Sequence, residues 1–217
     1  GGAAFVEAQP GGCNRMSEEL KEISARTGVH IVASTGFHKM QFYPKGHWIG
    51  NTDRDRLAGF FIEELTKGMY VGTEHTSPFE NKTSDGWKDL KGKVFQTRTC
   101  AGIIKTALDS CGLAGPYREL FPAAAKAQKE TNAPMMVHIE EGSSPVSLMR
   151  FLEETGVDLR RVYFCHMDRA CRNWEVFRKV LRRGVTLEFD TIGRFRYHSD
   201  EEELRLVKRI LAENEEQ

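Results

Sequence analysis

The feature that most constrains the fold of this chain is the alternation of short apolar runs with longer amphipathic stretches. The apolar runs lie near residues 3–8, 29–34, 100–106, 134–139, 161–166 and 185–190. The amphipathic stretches lie near residues 16–27, 53–67, 116–131, 145–156, 171–183 and 199–214. Such alternation is typical of the strands and helices of parallel βαβ units. We therefore predict an α/β fold of six consecutive units.

Local signals refine the predicted helices. Asp53 and Ser199 each precede a charged stretch, and Ser144 precedes a proline, as expected for residues that cap a helix N-terminus. Pro122 has no amide hydrogen, so we predict that the helix near 116–131 is interrupted and restarts there. The segments 36–52 and 68–93 are longer than usual βα connections. For segment 68–93, a functional loop and a surface insertion are both open.

Size and composition favour one domain over residues 1–217, because a chain of this length with 40% hydrophobic residues can bury a sizeable core. Thirty-one basic residues balance thirty-one acidic ones, which argues against nucleic acid or an anionic membrane as a partner. No apolar run approaches the roughly 20 residues that span a bilayer, and no signal-peptide layout opens the chain. We expect a cytoplasmic protein. Its five cysteines lack CxxC spacing, which favours reduced thiols.

Three polar residues close successive apolar runs: Lys105, His138 and His166. The carboxyl ends of barrel strands are where such folds carry their chemistry. Neutral imidazoles at two neighbouring strand ends can bind zinc or another borderline cation. One such histidine alone is more often packed or hydrogen-bonded, whereas two in register favour a pair of ligands.

Lys105 ends a run that we predict to be buried, where its ammonium group would lose hydration. Desolvation favours the neutral amine, which is also the nucleophilic form. Such a lysine can serve as a Schiff base, a general base or a ligand formed as a carbamate from CO2. The alternative is a lysine that extends to the rim of the sheet and keeps its water.

The three residues follow one another at intervals of about 30 residues, the length of one βα unit. This set resembles the phosphotriesterase-like branch of the amidohydrolase superfamily. Residues 28–38 and 187–193 look like the third and seventh strands of that family. The resemblance implies two divalent metal ions bridged by carbamylated Lys105, with His138 and His166 bound to one of them. Zinc is expected, and manganese or cobalt would suit the same ligands.

The resemblance also implies the fold, a (β/α)8 TIM barrel of the metal-dependent hydrolase type. Six units correspond to strands two to seven with their helices, so the first strand and the eighth βα unit are missing. In the family these parts supply an HxH pair and an aspartate, and neither is present in this sequence. A non-catalytic barrel fragment whose edge strands pair with another chain is therefore an alternative to an enzyme.

The loop after the predicted seventh strand offers candidate substrate contacts in Arg194, Arg196 and Tyr197, in a region where barrels often bind phosphate. A solvated loop is an equally good interpretation. His38 and Asp190, at the ends of their own strands, are further candidates for substrate contacts. A loop hydrogen bond and a helix cap are the respective alternatives.

Residues close to the histidines are weaker candidates. Asp168 and Arg169 follow His166 and could contact substrate. Glu140 and Glu141 follow His138, but adjacent glutamates in a loop are usually solvated, and we predict no role for them.

Family members with a cationic seventh loop resemble lactonases of phosphorylated sugars. We therefore predict a metal-dependent hydrolase that opens a small, anionic, phosphorylated sugar lactone by attack of a metal-bridging hydroxide. A phosphotriesterase or an amide or ester hydrolase on the same scaffold is the alternative. A homodimer is compatible with this prediction.

Overall fold

The computed structural model describes residues 2–79 and 94–215. Its strands are β1 (Ala4–Glu7), β2 (His30–Gly36), β3 (Tyr70–Val71), β4 (Phe95–Gln96), β5 (Ile103–Leu108), β6 (Met135–Ile139), β7 (Val162–Cys165) and β8 (Thr186–Leu187). Its α-helices are α1 (Ser17–Thr27), α2 (Arg54–Thr66), α3 (Tyr117–Thr131), α4 (Pro145–Glu154), α5 (Met167–Ala170), α6 (Trp174–Leu181) and α7 (Asp200–Glu215). Short 3-10 turns lie at Met40–Phe42, Trp48–Gly50 and Leu159–Arg161. Much of the predicted loop 68–93 lies outside the described residues.

The main sheet has six strands in the order β1-β2-β5-β6-β7-β8, and all neighbouring pairs are parallel. Parallel neighbours require a crossover, and helices provide most of these connections. The α/β prediction is therefore confirmed. The short strands β3 and β4 form a separate antiparallel pair, which the sequence analysis did not predict.

The two faces of the sheet bury different side chains. Alternate residues such as Ile104, Val137 and Phe164 belong to the large apolar core, which also contains side chains of the helices. Residues of the opposite face, including Ile103 and Met136, form a small apolar cluster of their own. Because side chains alternate across a strand, Lys105 shares the face of Ile103.

The main error in the predicted elements concerns Pro122. The structure has one helix, α3, that continues through this proline from Tyr117 to Thr131. Pro122 lies near the start of α3 and its ring removes only one amide donor, so a helix packed along α2 tolerates it. The predicted helix near 171–183 is shorter, Trp174–Leu181, and the predicted strand near 185–190 has regular pairing only at Thr186–Leu187.

A buried ion pair joins the loop before α1 to α2. The guanidinium of Arg15 contacts the carboxylate of Glu64, and both side chains are fully buried. Arg15 also donates to the carbonyls of Ser34 and Tyr70, and Glu64 also accepts from the Thr35 hydroxyl. This network fixes the carboxyl end of β2 against α2.

Among the residues that the structure describes, no helix combines the length and the apolarity needed to cross a membrane.

Candidate functional site

Lys105, His138 and His166 lie on one side of the sheet. The two histidines lie at the carboxyl ends of β6 and β7, whereas Lys105 is the third of the six residues of β5 and does not close its strand as predicted, because β5 continues to Leu108. Ala107 pairs with His138, and His138 with Cys165, so the two histidines come from adjacent strand ends. Their ring centroids are 4.6 Å apart. Lys105 pairs with Met136, two residues before His138 along β6, and therefore lies deeper in the sheet on the same face. The structure thus places the three predicted metal ligands on neighbouring strands.

Lys105 is buried, with 3% of its surface exposed. Burial lowers the pKa of its ammonium group, and the nearby Cys165, Glu188 and Asp190 oppose that shift without reversing it. Gly36 on the neighbouring strand makes room for this residue. A side chain at Gly36, whose φ is +101°, would collide with the backbone carbonyl of Lys105. The arrangement favours a neutral, nucleophilic amine at position 105.

His138 is held by a carboxylate that the sequence analysis set aside. Its Nε2 lies 2.9 Å from Oε2 of Glu140, and the same oxygen accepts from Nζ of Lys39 at 2.5 Å. Burial raises the pKa of Glu140, but the hydrogen bonds from Lys39 and His138 outweigh it and lower that pKa. An ionised carboxylate only accepts, so Nε2 of His138 carries the hydrogen and its Nδ1 keeps a free lone pair.

His38 packs beside this group and makes the loop hydrogen bond that was the alternative to a substrate contact. Its ring centroid is 5.4 Å from that of His138, and its Nδ1 accepts from the amide of Lys39. Burial, assisted by the positive charge of Lys105, lowers the pKa of His38 to about 3. Burial likewise lowers the pKa of His138 to about 4. Both imidazoles are therefore neutral at physiological pH.

His166 has an unusual backbone, with φ of +65°, in the left-handed region. Its Nδ1 lies 2.7 Å from Oδ2 of Asp190. This contact is close but poorly directed, because the buried Nδ1 has no hydrogen-bond partner of good geometry. Burial raises the pKa of Asp190, and His166, Arg169 and Arg194 together bring it below its ordinary value.

A group of guanidiniums surrounds the ring of Tyr197 in the cationic loop, which we define as residues 193–197. The guanidinium carbons of Arg169, Arg194 and Arg196 lie 5.0, 5.1 and 4.7 Å from the ring centroid. Arg172 donates to the Tyr197 carbonyl. The aromatic face thereby gathers several positive charges into one place.

A second polar cluster lies behind this loop. Asp168 accepts from the amide and hydroxyl of Thr191, and the Thr191 hydroxyl also contacts Nε2 of His198. Asp168, His198 and Glu203 each offer a ligand atom within 4.8 Å of the others. From the sequence, Asp168 was only a weak candidate for a substrate contact, His198 was one more polar residue of the loop after the seventh strand, and Glu203 was not a candidate.

The predicted site residues thus fall into two neighbouring groups. Lys105, His138, His166 and His38 form the inner group, and Arg194, Arg196 and Tyr197 form the outer one. Asp190 belongs to both, since it contacts His166 and lies near Arg194. The expectation that Glu140 is a solvated loop residue was wrong. Its spacing of two residues from His138 was a local signal for the first contact, whereas the contact with Lys39, distant along the chain, could not be read from the sequence.

Parallel strands joined mostly by helices, with polar side chains near the carboxyl ends of neighbouring strands, define an α/β protein with a strand-end site, the arrangement that (β/α) barrels use. The profile of the Phosphotriesterase family matches residues 1–96 and 69–217. The chain therefore belongs to the Phosphotriesterase family, and the resemblance seen in the strand-end motifs is confirmed.

Relatives with assigned activities are hydrolases. The human N-acetyltaurine hydrolase is 26% identical over 194 residues, which cover 89% of this chain and 48% of that protein. A phospho-furanose lactonase of Mycoplasmopsis agalactiae is 24% identical over 203 residues, covering 92% of this chain and 53% of that protein. The chain spans about half the length of these curated relatives. The crystal structure of a lactonase from Listeria monocytogenes superposes with a TM-score of 0.78 at 23% identity, over 98% of this chain and 62% of that one.

Proposed function

We propose that this protein is a metal-dependent hydrolase that opens phosphorylated sugar lactones, with its described strands corresponding to the second to seventh of an eight-unit barrel. The observation that carries the proposal is the position of Asp190 between the two groups. Its carboxylate contacts His166 on one side and lies near Arg169 and Arg194 on the other. A substrate with a phosphate at the arginines would therefore have its ring beside the histidines.

The inner group fits a divalent metal pair. Its donors are the imidazoles of His138 and His166 and a buried amine of lowered pKa, and Nδ1 of His166 is buried without a well-directed partner. Nitrogen donors together with a carbamate oxygen suit zinc, and also manganese or cobalt. When bound, such ions supply Lewis acidity toward the lactone carbonyl and toward the attacking water.

Lys105 contributes most directly once it is carbamylated. Its neutral amine adds to CO2: an N–C bond forms, one C–O π bond breaks, and the nitrogen releases a proton to water, which leaves an anionic carbamate with two oxygens able to act as ligands. Burial lowers the pKa of this ammonium group and so favours the unprotonated amine that this step requires. Glu140 meanwhile holds His138 in the tautomer that leaves Nδ1 free.

The outer group binds the phosphate. Guanidiniums pair with phosphate oxygens in a bidentate manner, and Tyr197 keeps three of them together. Arg194 and Arg196 are exposed, so they remain hydrated until an anion displaces their water.

The test compares kcat/KM for a phosphorylated furanose lactone with that for its unphosphorylated counterpart, in the intact protein. Arg194→Ala should raise KM for the phosphorylated lactone about tenfold, a loss of roughly 1.4 kcal/mol, and leave the other substrate unchanged. Arg150→Ala, an exposed arginine on α4, serves as the matched control. Equal turnover of the two lactones by the unmodified protein would contradict the phosphate role.

A second candidate is hydrolysis of an N-acyl amide that carries an anionic tail. The observation that favours it is the same group of guanidiniums, which would hold a sulfonate as readily as a phosphate, and the human relative is named for such an amide. Faster turnover of N-acetyltaurine than of any phosphorylated lactone would select this activity over the first.

A further inference from the structure

Asp168, His198 and Glu203 meet where α5, the loop after β8 and the start of α7 come together. From their geometry we propose a separate structural cation site, formed by these three side chains, that takes a first-row divalent ion such as Zn²⁺ and fastens both ends of the cationic loop. It shares no residue with the Lys105, His138 and His166 group.

The spacing of the three side chains suits a small ion. Nε2 of His198 lies 3.4 Å from Oδ2 of Asp168, close to the edge of a tetrahedron with ligand bonds of about 2.0–2.1 Å. The ligand atoms of all three residues lie within 4.8 Å of one another. Two ligands of one zinc ion span at most about 4.2 Å, so a small rotation of the Glu203 side chain completes the set.

The site is sheltered from solvent. The side chains of His198 and Asp168 are 7% and 1% exposed, and Glu203 is 5% exposed. A cavity of about 280 Å³ opens onto the three residues and provides a path for an ion.

His198 is oriented as a metal-binding histidine is. Its Nδ1 lies 3.1 Å from the carbonyl of Ser199, and because a carbonyl only accepts, Nδ1 carries the hydrogen. Nε2 faces Asp168 and also contacts the Thr191 hydroxyl, whose own hydrogen goes to Asp168. An ion would bind the Nε2 lone pair in place of that contact. A backbone carbonyl that fixes the other ring nitrogen is a common feature of histidine ligands.

Glu203 supplies the observation that points to a missing cation. Its Oε2 is buried and has no hydrogen-bond partner in the described part of the chain, an arrangement that costs free energy unless a donor or a cation compensates it. The acidic groups Asp168, Asp200 and Asp190 lie near this carboxylate, and His198 is the basic group beside it. The cluster is therefore short of positive charge.

Two of the arginines that line the cavity, Arg172 and Arg209, have other partners. Arg172 donates to the Tyr197 carbonyl, and the guanidinium of Arg209 lies 3.9 Å from the ring centroid of Trp174. The neighbouring Glu202 is also engaged, since it caps α7 through the amide and hydroxyl of Ser199. In the first turn of α7, Glu203 is the glutamate whose side chain is buried, whereas Glu201 and Glu202 are exposed.

An ion at this position would act on the cationic loop. Thr191 lies two residues before the cationic loop and contacts Asp168, while His198 follows the loop directly. Joining Asp168 to His198 and Glu203 would hold both ends of the loop that carries Arg194 and Tyr197. Any effect on substrate affinity rests on the proposed function, whereas ion binding does not.

The test measures zinc binding in the intact protein with His138→Ala and His166→Ala, which remove the histidines of the other group. Equilibrium dialysis should find one tightly held ion per chain, and zinc should raise Tm. Adding Glu203→Gln should raise the Kd by roughly 100-fold or more, above the 10- to 100-fold that loss of an orienting partner costs. Glu201→Gln, an exposed glutamate of the same turn, should leave the Kd unchanged.

Absence of a bound ion, or equal affinity in the Glu203→Gln protein, would overturn the proposal. If the double histidine variant fails to fold, Glu203→Gln in the otherwise unchanged protein should lower the zinc content by one ion per chain, and an unchanged content would overturn it equally. Retained zinc at this site without lactone hydrolysis would refute the proposed function and leave the cation site standing.

Discussion

Replacing Arg15 with methionine tests the buried ion pair between the loop before α1 and α2. Arg15 donates two hydrogen bonds to Glu64 and one each to the carbonyls of Ser34 and Tyr70. Methionine fills much of the space but donates none of them. Removing one partner of a buried pair costs about 3–5 kcal/mol, because the other charge stays buried without compensation. We expect the free energy of unfolding to fall by about 4 kcal/mol.

Urea unfolding followed by circular dichroism measures this change. Arg56→Met is the control, since its guanidinium is 69% exposed and lies 3.5 Å from Asp53, and its loss should cost no more than about 0.5 kcal/mol. The double variant Arg15→Met with Glu64→Met should recover most of the stability, because no charge is then left unpaired. A loss below about 1 kcal/mol for Arg15→Met alone would refute the assigned role of the pair.

Three further predictions concern the site. Gly36→Ala should lower the free energy of unfolding by more than about 4 kcal/mol, because the new methyl group would collide with the carbonyl of Lys105. Gly59→Ala on α2, whose methyl group would meet no other atom, should instead raise Tm. Equal shifts of Tm in the two variants would contradict the argument. In EDTA, the free energy of unfolding should be highest above pH 6.5 and fall toward pH 4. Burial lowers the pKa values of His38 and His138 in the folded protein, so between these pH values the unfolded chain binds protons that the folded protein does not. A free energy of unfolding that does not change with pH would contradict this prediction. Glu140→Ala should move the hydrogen of His138 from Nε2 to Nδ1, which the ¹⁵N chemical shifts of the imidazole report. In Glu140→Gln the amide oxygen can still accept from Nε2, so this variant should keep the tautomer. Identical spectra for the alanine variant and the unmodified protein would show that Glu140 does not set the tautomer.

Much of the fold could be predicted because it depends on local patterns. Short apolar runs such as Met135–Ile139 are buried on both faces in a parallel sheet, and their length and composition indicate strands directly. Ser144 caps α4 through the amide of Ser147 as predicted. Pro122 was misjudged because the general cost of a helical proline does not include the packing of α3 on α2, which only the tertiary structure reveals.

The candidate site was predictable where strand ends determine it and not where distant partners do. The proximity of Lys105, His138 and His166 follows from their positions on neighbouring parallel strands. Lys39 contacts Glu140 only because the fold brings distant segments together, so the sequence around Glu140 could not predict this ion pair. Glu203 belongs to an acidic stretch that reads as a solvated helix start, and only the structure separates its buried carboxylate from its exposed neighbours.

The left-handed backbone of His166 also bears on how such a site could change during evolution. A left-handed residue other than glycine costs roughly 1–2 kcal/mol, and asparagine, aspartate and glycine adopt that conformation most readily. Asparagine or glycine could therefore replace this histidine without disturbing the turn, whereas valine or isoleucine would distort it. Descendants that abandon the chemistry while keeping the fold should accordingly accumulate asparagine or glycine at this position.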